Sequence, residues 1–140
     1  EMVASCSNSA LLQTIVPSSL SCASPTKGRW QGHGTQHCGY CLPCLIRRAS
    51  LHAMGDPAVY TVPDLRAQAW DPRTARGEQI RSFQYAAERL RARPGLEKLL
   101  IHKPGPLSDE PQAIPELAAV YKRGLEEVGA LLKGVRTQPS

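Results

Sequence analysis

Aromatic side chains are scarce in this chain. They form 5% of its 140 residues, and Phe83 is the only phenylalanine. A core with so few large rings is modest, so part of the stability has to come from another source. Long apolar runs are missing too. No stretch approaches the roughly 20 residues that carry a helix across a bilayer, which excludes a helical membrane span. No apolar secretory segment precedes the cysteines. The chain has no Gly-Gly pair, no P-loop and no Gly-x-Gly-x-x-Gly fingerprint, so no phosphate-cradling loop of those kinds lies within it. There is no internal repeat, heptad pattern or low-complexity tract, which excludes solenoid and coiled-coil architectures.

What the chain does have is sulfur at strict spacing. Cys38-Gly39-Tyr40-Cys41-Leu42-Pro43-Cys44 places three cysteines every third residue, and fifteen residues separate Cys38 from Cys22 upstream. Four thiolates make a closed tetrahedral shell for one zinc ion, with Zn–S bonds of about 2.3 Å that bring the sulfurs within about 4 Å of one another. A Cys-x-x-Cys pair reaches that geometry through a tight turn, which Gly39 suits because it tolerates positive φ. Pro43 fixes φ just before Cys44, and Cys44 then enters a helix at its N-terminus, where the macrodipole favours negative charge. The expected metal ligands are Cys22, Cys38, Cys41 and Cys44, with His33 or His37 as the alternative to Cys22. A disulfide framework is the rival reading, but five cysteines leave one unpaired. A redox pair would need a preceding strand, where His33 to His37 reads as loop. Cys6 is expected as a small packed hydrophobe in a helix. Thiols grouped as ligands, with no targeting segment, point to a reducing cytoplasm.

The formal charge of +5 falls to about +3 once four thiolates hold one Zn²⁺. Arg73, Arg76, Arg81, Arg89, Arg91 and Arg93 concentrate in one region, interleaved with Glu78 and Glu88. That pattern reads as a solvated helix face, or as a contact for a phosphate-bearing or acidic partner.

The predicted architecture is mainly α, with an irregular zinc-binding loop region and a helical C-terminal tail. A helix is expected over 1–16, ended by Pro17, followed by ligand-bearing loop to 37 and a helix from Pro43 to Met54 closed by Gly55-Asp56-Pro57. Val59 to Val62 reads as an edge strand or merely extended chain. Leu65, Ala69 and Trp70 suggest a helical turn, with Trp70 as a packing anchor. Ile80, Phe83, Ala87 and Leu90 define one helical stripe, stopped by Pro94-Gly95, and Leu96, Leu99 and Leu100 a short helix. Ile114, Leu117, Tyr121, Leu125, Val128, Leu132 and Val135 form the most regular stripe, with Pro115 in the first turn. The organisation is therefore 1–55 as the zinc-binding region, 56–77 as a connection and 78–140 as the helical part.

Ser21-Cys22, a variable loop, then Cys38-Gly39-x-Cys41-x-x-Cys44-x-x-Arg47 resembles the zinc-binding C-terminal signature of the QueC family, the 7-cyano-7-deazaguanine synthases. The fuller run from His37 to Ala49, with Arg47-Arg48 after the last cysteine, is similar to the QatC branch of QueC-like proteins from the Qat anti-phage defence system. Glu1-Met2-Val3 and the Pro25 to Trp30 stretch fit that branch, and the likeness covers roughly residues 1–55. It implies an α/β PP-loop ATP pyrophosphatase-type enzyme that activates a carboxylate with ATP in 7-deazaguanine-type chemistry. It also implies a small-molecule substrate and, for the defence branch, other defence-system subunits as partners. The family's Ser-Gly-Gly-x-Asp-Ser nucleotide loop is not in this chain. The expectation is therefore the C-terminal part of a larger protein, with ATP belonging to the whole and no catalysis by this part alone.

Arg47 matches the family arginine, placed either to reach nucleotide or substrate or to pair near the zinc–thiolate centre. His33 and His37 are candidate contributors to a substrate pocket. The gap between Cys22 and Cys38 exceeds that of the housekeeping synthase and holds Trp30, His33 and His37, as a loop of its own would. The other functional class is a non-enzymatic zinc-binding adaptor that contacts nucleic acid or a protein through the arginine-rich helix. Against it stand the single cysteine cluster and the lack of aromatics among those arginines.

Overall fold

A computed structural model describes residues 3, 5–105 and 107–138. Five α-helices order the described chain: α1 (Ser9–Ile15), α2 (Leu42–Leu51), α3 (Ala75–Ala92), α4 (Glu97–Leu100) and α5 (Ile114–Leu131). Short 3₁₀ turns extend α1 and α2 and form Lys27–Gln31 and Pro111–Ala113. The described residues contain no sheet, only isolated bridges between His37 and Tyr60 and between Trp70 and Thr137. No helix among them is long and apolar enough to cross a membrane.

The mainly helical expectation holds, with local corrections. The helix expected over 1–16 covers only Ser9–Ile15, while residues 1, 2 and 4 lie outside the described set. It starts late because Asn8 supplies the cap, its Oδ1 accepting from the Leu11 N–H at 2.9 Å. Cys6 therefore precedes the helix and is half-buried. Leu65 to Trp70 forms turns rather than a helical turn. Its apolar pair is used differently, Trp70 Nε1 donating to the Leu65 carbonyl at 2.8 Å with both residues buried. Val59 to Val62 is not a strand: Tyr60 makes one isolated bridge to His37 and the chain bends at Thr61 and Val62, whose N–H groups donate to the His37 and Cys38 carbonyls at 2.9 and 3.1 Å.

α3 forms as its stripe dictates. Thr74 caps it, accepting from Gly77 N at 3.2 Å, and Ile80, Ala87 and Leu90 are buried beneath it. The α5 stripe divides. Leu125, Val128, Leu132 and Val135 are buried against α2 and α3, whereas Leu117 and Tyr121 are exposed. α4, which contacts α5, is a single turn with no buried residue, and in the first half of α5 the buried position is Ala118.

The larger of two buried clusters among the described residues joins these pieces. Cys38, Tyr40, Cys44, Leu45, Leu65, Trp70, Ile80, Val128, Leu132 and Val135 belong to it, so the cysteine region, the connection and both long helices share an apolar interior. Ala87, Leu90 and Leu125 form the second cluster, with Phe83 packed against both. Gly77 is what lets the connection approach α3: a Cβ there would lie 2.1 Å from the Asp71 carbonyl oxygen. Gly77→Ala is therefore expected to destabilise by about 1–3 kcal/mol through overpacking, against the roughly 1 kcal/mol that alanine gains in a helix interior. A melting curve of the metal-loaded variant decides between the two; a higher Tm than wild type refutes the steric reading.

Candidate metal centre

The four sulfurs arrive from three local structures. Cys22 comes from the loop after α1, Cys38 and Cys41 from a tight knuckle, and Cys44 from the first turn of α2. In the knuckle Gly39 sits at φ 91°, and a Cβ at that position would meet the Val62 carbonyl oxygen at 2.6 Å. Glycine is thus required twice over, by the backbone angle and by the packing. Backbone N–H groups point at sulfur, Cys38 N to Cys22 Sγ and Cys41 N to Cys38 Sγ, each at 3.4 Å. Pro43 occupies the first turn of α2, and the free N–H of Leu42 is satisfied from another element, Gln79 Oε1 on α3, at 2.8 Å.

All four ligand atoms lie within 4.8 Å of one another, with Cys22–Cys41 and Cys38–Cys44 separations of 3.9 Å. A tetrahedron with 2.3 Å Zn–S bonds has edges of about 3.8 Å, so the quartet fits zinc. All five cysteines are free, with no disulfide among them. Cys38, Cys41 and Cys44 are buried and Cys22 is half-buried. Four protein donors leave no coordination position for substrate, as in a structural rather than a catalytic zinc site.

The thiols are unequal. Hydrogen bonding from Cys44 pulls the Cys38 thiol below its ordinary value, opposed by burial and assisted by backbone N–H groups. Cys41 is pushed up by burial, and Cys44 is pushed up by its bond to Cys38 and then by burial. A divalent cation removes that conflict by accepting all four as thiolates, with release of protons.

Cys22, not a histidine, completes the quartet. His37 is buried beside it, with Nδ1 3.8 Å from Cys44 Sγ, Nε2 3.3 Å from the Ser19 carbonyl oxygen, and its ring 5.4 Å from that of Tyr60. It braces the centre against the end of α1. His33 is exposed in the loop between Cys22 and Cys38 and does not reach the cluster.

Arg47 is turned inward. It donates to Ser19 Oγ at 2.6 Å and to the Val16 carbonyl at 3.0 Å, and pairs with Asp56 at 3.3 Å, both side chains nearly enclosed. Asp56 also accepts from the Tyr60 hydroxyl and from Ala58 N. Burial alone would raise the Asp56 carboxyl, but the bonds from Tyr60, Ala58 and Arg47 outweigh it and hold the group below its ordinary value. Tyr60 is raised, by burial first and then by its bond to Asp56. Arg48 lies 4.5 Å over the Tyr60 ring and donates to the Gly39, Val62 and Pro63 carbonyls. Sequence reading missed Arg48, Asp56, Tyr60 and Ser19. Asp56 reads locally as part of a Gly-Asp-Pro helix stop, and no local signal announces its partners.

Fold and site together define a mainly helical chain organised around a four-cysteine centre able to hold a metal ion. No protein family, curated protein or solved structure matches the chain.

Proposed function

We propose that this chain is the zinc-stabilised C-terminal portion of a QueC-like, ATP-dependent enzyme, of the QatC type that serves anti-phage defence. The observation that carries this reading is the convergence of Cys22 with Cys38, Cys41 and Cys44, the ligand set that the QueC-like signature requires. Zinc closed in by four thiolates is architectural: it holds the start of α2 and the knuckle before it. Catalysis then belongs to the part of such an enzyme that carries the Ser-Gly-Gly-x-Asp-Ser loop. There, attack of a substrate carboxylate oxygen on the α-phosphorus of ATP forms an acyl-adenylate and expels pyrophosphate. Arg47 serves the fold, because its donors are spent on Asp56, Ser19 and Val16. The adaptor reading through α3 draws less support. Arg73 pairs with Asp71 and Arg81 with Glu88, while Arg76 and Arg89 lie over the Tyr40 and Tyr85 rings.

The test is pyrophosphate release. The chain alone, loaded with zinc, should release none from ATP with any carboxylate. A protein joining it to a Ser-Gly-Gly-x-Asp-Ser domain should release pyrophosphate only with a carboxylate substrate such as a deazapurine acid, and should lose that activity on Cys44→Ser. Activity of the joined protein that ignores all carboxylates, or that survives loss of the zinc site, rejects the proposal.

A further inference from the structure

We infer that the loop between Cys22 and Cys38 is a docking site for single-stranded nucleic acid, with Trp30 stacking on a base while Lys27 and Arg29 meet the neighbouring phosphates. Trp30 is 90% exposed, whereas Trp70, the only other tryptophan, is 3% exposed. A fully solvated indole is unusual, since tryptophan is on average a strongly buried residue.

The loop that presents Trp30 is built. Lys27 N, Arg29 N, Gly32 N, His33 N and Gln36 N donate to the carbonyls of Ser24, Thr26, Arg29, Gly28 and Pro25 at 2.9–3.3 Å. Gly32 closes the 3₁₀ turn in the left-handed region at φ 75°, and a Cβ on Gly28 would press on His33 Cβ at 3.0 Å. Its two ends are Cys22 and Cys38, drawn together in the metal-ligand cluster, and Gln36 Nε2 ties it to Thr61 Oγ1 at 2.9 Å. A platform ordered before binding loses little entropy on contact.

Charge decides the kind of partner. Residues 2–55 contain no aspartate or glutamate, and Lys27 and Arg29 have no ion-pair partner among the described residues. In a 3₁₀ turn side chains three apart eclipse, so Lys27 stands on the same side as Trp30, with Arg29 adjacent. An aromatic face beside unpaired cations, on a loop that carries no carboxylate of its own to repel phosphate, matches the base-next-to-phosphate repeat of an unpaired strand. A duplex hides its base faces. An acidic protein would have to supply an apolar pocket and a carboxylate rim together.

Binding is expected to be modest and sensitive to salt. One stacked base contributes about 1–3 kcal/mol, and two phosphate contacts on a single strand give a log–log salt slope of about −1.4. The test uses the zinc-loaded chain, a short oligodeoxythymidylate and intrinsic tryptophan fluorescence, in which the red-shifted component reports Trp30 and the blue-shifted one Trp70. The expected result is quenching of the red component at low ionic strength with that slope. Trp30→Ala should weaken binding about 5- to 150-fold without changing Tm, Trp30→Phe should recover part of the loss, and Lys27→Gln should flatten the slope. Three results overturn the inference: no quenching at low salt; equal binding of inorganic polyphosphate, unaffected by Trp30→Ala; or displacement of the oligonucleotide by polyglutamate with shielding of Trp30, which would make the partner an acidic protein.

Discussion

Stripping the metal from this chain is expected to unfold the half of it that contains the cysteines. Structural zinc contributes about 10–16 kcal/mol when folding builds its site, while whole domains are stable by only about 5–15 kcal/mol. The thiols at stake do not sit on a detachable knob. Cys38, Cys41 and Cys44 lie in the same buried cluster as Leu45, Leu65, Trp70, Ile80 and Val128. Without the cation, four sulfurs held within 4.8 Å must share protons in a site that disfavours charge, and Cys44 and Cys41 resist ionising. The measurement is metal content together with near-ultraviolet circular dichroism, which follows the Tyr40–Trp70 contact at 5.8 Å between ring centres. One zinc per chain, loss of the signal with a strong chelator and its return with added zinc are expected. Cys44→Ser should behave as the chelated protein does. A chelated chain that keeps its signal and its Tm would show that the apolar core suffices and that the quartet is incidental.

Arg47→Ala should be the most damaging substitution outside the ligands. Removing one partner of an enclosed ion pair typically costs about 3–5 kcal/mol, because the other charge stays behind without compensation. Here Asp56 would keep only Tyr60 and Ala58, and the Val16 and Ser19 carbonyls and the Ser19 hydroxyl would each lose one partner, Val16 keeping its bonds from Ser19. Arg47→Lys should rescue only part of this, since an ammonium lacks the fork that serves three partners at once. The acid limb of stability gives an independent check. The Asp56 carboxyl is held below its ordinary 3.8, so the native chain binds fewer protons there than the unfolded one. Its contribution is complete above that ordinary value and is lost as pH falls through the lower folded one. The stability difference between wild type and Asp56→Asn should therefore close on acidification below pH 3.8. Acid protonates the thiolates of both proteins, so the difference between the two carries the reading. A gap that stays constant through that range would mean that the pair contributes through packing and not through charge.

Much of the centre was legible because its determinants are local. Cys38, Cys41 and Cys44 are fixed by spacing, Gly39 by the turn it must make, and Pro43 by the helix it opens. The α3 stripe was readable for the same reason, since Ile80, Ala87 and Leu90 need only a 3.6-residue period to share a face. The α5 stripe was legible as a pattern but not in its burial. Leu117 and Tyr121 repeat correctly and stay exposed, because burial depends on what the neighbouring element can cover.

By itself, then, the order of residues determined the three clustered ligands Cys38, Cys41 and Cys44, the helical class and where α2, α3 and α5 form, since capping, turn chemistry and periodicity act within a few residues; that Cys22 is the fourth donor was decided by the fold. The folded chain alone decided that Arg47 points inward to Asp56, that His37 adjoins the sulfurs without joining them, that Gly77 has no room for a methyl group and that Trp30 stands in water. Each of those depends on groups brought close in space from distant parts of the chain, and no local rule specifies such a meeting.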